Sequence, residues 1–270
     1  MNDLDALAKL LSALEPWRAH LVLIGGWAHR LYRFTPAVNV PGYQPVYTRE
    51  TDLAFDKKAP LDGDIKAALV QAGFSEQLTG DHEPPVAHYT LGDSDDGFYA
   101  EFLTPLQGSG TKRNGKPDAT MLKAGISAQK LRYLEILFVE PWTINVGPNS
   151  GVPMARYMDV QVANPISYIV QKFLIQKYRT PKKRAQDVLY IHDTLQLFGA
   201  QLPELNKLWK GIVQPTLPEK TSGQIIKLAQ ETFLTVTDTI RDAVRIPQDR
   251  RLSPEELQNA CNLALTQVLT

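Results

Sequence analysis

Glu50 and Asp52 stand two residues apart at the head of an apolar segment, Thr48-Arg49-Glu50-Thr51-Asp52-Leu53-Ala54-Phe55. On a strand, residues i and i+2 point to the same face, so the two carboxylates project side by side. Anions held that way repel each other unless a proton or a cation sits between them. The arrangement suits a magnesium ion carrying a nucleoside triphosphate (NTP). A third acid, Glu101, lies within Tyr99-Ala100-Glu101-Phe102-Leu103, an otherwise apolar strand pattern. A solvated strand face would explain it, but Glu is depleted in strands, and its burial without a partner is costly. Glu50, Asp52 and Glu101 on neighbouring strands would share a metal site. The first two would act as ligands, and the third would complete the shell or act as a base on an incoming hydroxyl.

The elements that must position these acids begin with Leu21-Val22-Leu23-Ile24-Gly25-Gly26-Trp27-Ala28-His29-Arg30, an apolar run ending in a glycine pair. Leu21 to Ile24 reads as a short buried strand, and residues 27–33 as a helix entered through the glycines. Such a turn lets a phosphate approach the backbone, and a helix N-terminus offers free N–H donors. Arg30 falls one turn into that helix, placed for a phosphate or for a surface ion pair.

Leu4, Leu7, Leu10, Leu11 and Leu14 recur at helical spacing, so residues 3–15 form an amphipathic helix. Residues 34–47 hold Pro36, Pro41, Gly42 and Pro45 and form a loop. A helix opens at Pro60 and Asp62 and runs to about Ala72, capped by Gly73. Strands follow at 86–91 and 98–103, joined by a polar turn at 92–97. Residues 105–120 carry Gly108, Gly110 and Gly115 with Lys112, Arg113 and Lys116, a mobile basic loop able to close over a substrate. Strand-like pieces lie near 135–139, 142–146 and 154–160.

After Pro165 the pattern turns helical, at 166–176, 181–198, 202–213, 222–245 and 254–268. The plan is α+β: a small mixed sheet flanked by helices over residues 1–160, then a helical domain over 161–270. The densest positive patch runs from Lys172 through Lys177 and Arg179 to Lys183 and Arg184. It could hold triphosphate oxygens or an RNA backbone, or be a solvated helix end. Lys172, on a face with Ile169 and Phe173, needs an anion: a nucleotide phosphate, or Asp187 in an interhelical bridge. Ile225, Leu228, Ala229, Thr232 and Val236 form a stripe that is core or an interface for a protein partner.

Acidic and basic residues balance at 29 each, so no global field draws the chain to nucleic acid or membrane. Lone Cys261, the absence of a signal-peptide pattern and the lack of a membrane-length apolar run point to a cytoplasmic protein with no membrane association. The five histidines show no metal-ligand spacing. P-loop, Rossmann and nucleophile-elbow motifs are missing, which removes support for ATPase, dehydrogenase and hydrolase readings.

Leu23-Ile24-Gly25-Gly26-Trp27-Ala28 followed by Thr48-x-Glu50-x-Asp52-Leu53 resembles the signature of the polymerase-beta-like nucleotidyltransferase superfamily. There a strand–glycine–helix element precedes a pair of acids, and a third acid lies on a later strand. Glu101-Phe102-Leu103-Thr104-Pro105 looks like the third-acid strand of a bacterial subgroup. Asn164-Pro165 through Lys172, then Lys177, Arg179, Lys183, Arg184 and Asp187, is similar to that subgroup's helical region and to the AbiE-type toxin nucleotidyltransferases. The likeness implies transfer of a nucleotide from an NTP to an acceptor (RNA, protein or small molecule) with two Mg2+ ions at Glu50, Asp52 and Glu101. It also implies nucleotide contacts from Gly25, Gly26, Arg30, Thr48, Lys172 and Lys177. Glu50 stands where the family more often has Asp, and the loop before it is long. A competing register makes Asp52 the first acid and leaves Ala54 in place of the second. A second reading is a non-catalytic nucleotide sensor whose helical tail, residues 200–270, binds a protein partner.

Overall fold

Asn2 opens the first helix, α1 (Asp3–Ala13), through a capping box: its side chain accepts the Asp5 amide at 2.9 Å and its own amide donates to Asp5. Leu7 and Leu10 on the inner face of α1 are fully buried. The computed structural model describes residues 2–36, 38–92 and 97–270. It divides into two compact units, one of Met1–Phe34 with Tyr47–Ala163, the other of Thr35–Val46 with Asn164–Thr270. Among the described residues no helix is long and apolar enough to cross a membrane.

The first unit is built on a nine-stranded mixed sheet. Its strands are β1 (Val22–Ile24), β2 (Glu50–Ala54), β3 (Ser75–Thr79), β4 (Val86–Leu91), β5 (Phe98–Pro105), β6 (Thr120–Lys123), β7 (Ile126–Leu131), β8 (Trp142–Val146) and β9 (Met158–Val162). The order is β3-β4-β5-β2-β1-β9-β8, with the β6–β7 hairpin joined through β7 to β5. β2 lies between β1, antiparallel, and β5, parallel. Both site strands are therefore central, where pairing on each side holds their side chains to a fixed face. The second helix, α2 (Gly25–Leu31), follows β1 directly and buries Trp27 and Ala28.

Several elements differ from the pattern-based expectation. The helix α2 starts at Gly25, two residues earlier than expected, and the chain enters it with Gly25 at φ +62°. The third helix, α3 (Ile65–Gln71), starts later than Pro60, where Asp64 accepts the Ala67 amide at 2.9 Å. It ends in a Schellman pair, Phe74 N–H to Leu69 O and Gly73 N–H to Val70 O, with Gly73 at φ +89°. Residues 135–138 form a 3₁₀ turn and not a strand, bracketed by Tyr133 and Glu140 at positive φ. The hairpin β6–β7 turns through Ala124 and Gly125, both at positive φ as a two-residue turn requires. Residues 93–96 of the expected polar turn lie outside the described residues.

The helical unit contains α4 (Pro165–Ile175), α5 (Pro181–Leu197), α6 (Leu202–Leu208), α7 (Glu219–Phe233), α8 (Asp238–Ala243) and α9 (Pro254–Leu269). Three of them start with one device: Asn164, Thr180 or Ser253 caps the helix and proline takes its first position. The single helix expected over 222–245 is two. The run Leu234-Thr235-Val236 breaks the pattern, and Thr237 accepts the Ile240 amide to start α8. Ile225 and Ala229 of the apolar stripe are buried core, while Leu228, Thr232 and Val236 are half-buried. Residues 35–46 join this unit because Arg250 stacks 3.6 Å from the Tyr43 ring centroid and the Gln44 amide donates to Asp249 at 2.6 Å.

Candidate active site

The sheet register assembles the acids. Asp52 on β2 lies opposite Glu101 on β5, and on its other side opposite Ile24, the last residue of β1. Glu50 precedes Asp52 by two residues on the same face. The result is a cluster in which one carboxylate oxygen from each of Glu50, Asp52 and Glu101 lies within 4.8 Å of the others. Opposite ligands of a Mg2+ ion sit about 4.2 Å apart, twice the metal–oxygen distance. The cluster therefore closes on such an ion with small side-chain movement, and its all-oxygen donor set suits a hard divalent cation.

The glycine turn sits against this cluster. A Cβ on Gly25 would lie 2.1 Å from Asp52 Oδ2, and the residue's φ of +62° disfavours any side chain. Glycine here keeps the second acid in place and leaves the backbone accessible next to it. Gly26 continues into α2 and is buried. Thr48 donates its hydroxyl to the Glu50 carbonyl at 3.1 Å, fixing the chain just ahead of the first acid.

No sequence motif singles out His88. On β4 it lies opposite Glu101, and its Nε2 approaches Glu101 Oε1 at 3.0 Å. An ionised carboxylate only accepts, so Nε2 carries the proton and donates. The hydrogen bond that His88 donates to Glu101 raises the His88 pKa; partial burial opposes this, and the charges of Glu101 and Glu50 add to the rise. Tyr99 stacks on His88, with ring centroids 5.4 Å apart. Burial, then the charges of Glu50, Glu101 and Asp52, raise its phenol pKa, so the same three acids act together on it. A signal for His88 exists in the sequence. Once Leu91 is paired with Phe98, the antiparallel register puts His88 opposite Glu101.

The sequence profile of a nucleotidyltransferase family matches residues 2–214. The chain belongs to this family. No curated protein matches it in sequence. As a nucleotidyltransferase-family chain it is a transferase, and an NTP is the substrate class the family implies.

The remaining residues singled out in this nucleotidyltransferase chain have other partners in the structure. Arg30 pairs with Asp3 of α1 at 3.2 Å and lies 4.0 Å from the Trp27 ring centroid, the surface-pair alternative to a phosphate contact. Lys172 and Lys177 belong to the helical unit. Lys172 donates to Asp187 at 2.7 Å, and Arg179 Nε donates to the other carboxylate oxygen at 2.9 Å. Burial would raise the Asp187 pKa, but the charges of Lys172 and Arg179 outweigh it and hold the carboxyl low. The Lys172 ammonium also lies between the Tyr168 and Tyr190 rings, 4.6 and 4.9 Å from their centroids. The interhelical bridge to Asp187 therefore forms. In the glycine-rich segment, Lys112 donates to the Glu83 carbonyl and Lys116 pairs with the Glu83 carboxylate. Two of the three cations expected in a mobile loop are thus engaged with Glu83.

Replacing His88 is expected to act through Glu101. His88→Ala should lower kcat by roughly 10–100-fold, the usual effect of losing a group that orients a metal-ligating side chain, with the KM for NTP unchanged. His88→Gln, which can present an amide N–H near the same position, should recover much of that loss. A Gln variant as poor as the Ala variant would show that the donated hydrogen bond is irrelevant.

Proposed function

We propose that the protein transfers a nucleoside monophosphate from an NTP to an acceptor hydroxyl by metal-dependent in-line attack. The observation that carries this reading is the convergence of three carboxylate oxygens within 4.8 Å beside a glycine turn that admits no side chain. Glu50, Asp52 and Glu101 would hold two Mg2+ ions. Bound there, the metal supplies charge neutralisation for the triphosphate and a lowered pKa for the attacking hydroxyl.

The chain's own residues supply position. The Gly25–Gly26 turn would offer backbone N–H groups to a phosphate, and Thr48 sets the start of β2. His88 holds Glu101 through one of its oxygens, Oε1. Glu101 or a neighbouring carboxylate accepts the acceptor's proton as its oxygen bonds to the α-phosphorus. The bond from that phosphorus to the bridging oxygen breaks and pyrophosphate leaves. Holding these groups in line provides much of the rate gain. The acceptor class is an RNA end, a protein hydroxyl or a small molecule. The motif from Lys172 to Asp187 supports placing the chain beside the AbiE-type toxin nucleotidyltransferases.

Magnesium with ATP is expected to raise the melting temperature, since a ligand bound only by the folded state stabilises it by roughly 2.7 kcal/mol at a hundredfold excess over Kd. Glu50→Gln should abolish the magnesium-dependent part of that shift. Incubation with α-labelled NTPs should label an RNA or protein fraction only when magnesium is present. A thermal shift that survives Glu50→Gln unchanged, together with no magnesium-dependent label in any pool, would overturn the proposal.

A further inference from the structure

The helical unit contains a cleft of about 380 Å³ that the transfer reading leaves unused. One wall comes from the end of α4, the following turn and the start of α5, and carries Lys177 and Arg184. The other comes from α7 and α8 and carries Glu231, Gln224 and Thr239. This second wall lies beyond residue 214, outside the span matched by the family profile. Phe173, Leu174 and Leu228 give the cleft an apolar lining. The volume falls within the range of small-molecule sites, roughly 300–1,000 Å³.

Arg184 makes this cleft chemically specific. It lines the cleft together with Lys177. The neighbouring cations Lys172 and Arg179 are already paired with Asp187. A planar guanidinium donor fork matches phosphate oxygens. With Lys177 and Arg184 set against Glu231, the charged lining groups carry a net positive charge. Glu231 is itself an exposed side chain, 3.6 Å from Lys227.

We propose that this cleft binds a phosphorylated small molecule of mononucleotide size, its phosphate on Arg184 and Lys177 and its uncharged body against the apolar lining. Glu231 then accepts a hydrogen bond from a hydroxyl or amine of the same ligand. The site is separate in composition from the acid cluster and does not depend on the transfer reading.

The test uses the full chain with EDTA present, titrated by calorimetry with AMP and with inorganic phosphate. Without a divalent cation the three acids repel phosphate, so binding then reports the cleft. AMP is expected to bind saturably, with phosphate weaker and competing. Arg184→Gln should weaken AMP by about tenfold or more, the loss of a charge-assisted hydrogen bond. Arg184→Lys should weaken it less. Glu231→Gln, a change at an exposed position, should tighten inorganic phosphate several-fold by removing the opposing charge. Asp52→Asn should leave AMP affinity unchanged. Absence of saturable AMP binding, equal affinity in wild type and Arg184→Gln, an unchanged phosphate affinity in Glu231→Gln, or loss of binding in Asp52→Asn would each overturn the proposal.

Discussion

Asp52→Asn is expected to lower nucleotide transfer by roughly 10³-fold or more while leaving the apo protein as stable as wild type, or slightly more so. Asp52 sits centrally in the acid row, opposite Glu101 on one side and at the end of β1 on the other. A metal held by carboxylates contributes several kcal/mol of transition-state stabilisation, and about 1.4 kcal/mol is tenfold in rate. Asn is nearly isosteric, so the close approach to Gly25 is kept. Neutralising one of three converging acids relieves repulsion in the absence of metal, and this is why stability should not fall. Two measurements check the prediction: initial rates of labelled-nucleotide transfer, and melting with EDTA present. A variant retaining a tenth of wild-type transfer, or one that melts well below wild type, would show that Asp52 serves the fold and not the metal.

Asp193→Ala should be strongly destabilising, at about 3–5 kcal/mol. The Asp193 side chain is fully buried, and Arg250 Nη2 donates to both of its oxygens, at 2.7 and 2.5 Å. His192 Nδ1 lies 2.9 Å from Oδ1. Arg250 in turn stacks on Tyr43, so the carboxylate holds the 35–46 segment to the helices through one guanidinium. Removing Asp193 leaves that largely buried cation uncompensated, and such losses exceed those of surface pairs several-fold. For a chain of this size the melting temperature should drop on the order of 10 °C. The paired replacement Asp193→Leu with Arg250→Met should cost less than Asp193→Ala, because it removes both charges together. Equal losses in the single and double variants would show that packing, and not the uncompensated charge, sets the effect.

Local chemistry made much of this molecule readable. The leucine spacing of residues 4–14 encodes α1, and the Asn-Pro, Thr-Pro and Ser-Pro pairs mark the starts of α4, α5 and α9. Alternation places Glu50 and Asp52 on one strand face, and that needs nothing beyond the period of a strand. The strands β3, β6 and β7 carry little sequence signal for a physical reason. They are short, and polar or mixed in pattern, and they become strands by pairing with neighbours and not through their own apolar periodicity. The division of residues 219–243 into two helices was hidden likewise, because the side-chain cap at Thr237 competes with continuing the helix by a small margin.

Residue types and spacing were enough to nominate three acids and a glycine turn, because carboxylates two apart on a strand share a side whatever surrounds them. Whether those groups meet depended on strand order. The parallel pairing of β2 with β5 puts Asp52 beside Glu101, and the antiparallel pairing of β4 brings His88 to the same row. The fate of the cations was also tertiary. Arg30 went to Asp3 and Lys172 to Asp187, since a charge leaving water takes the nearest geometrically suitable counter-charge, and only the folded chain decides which that is.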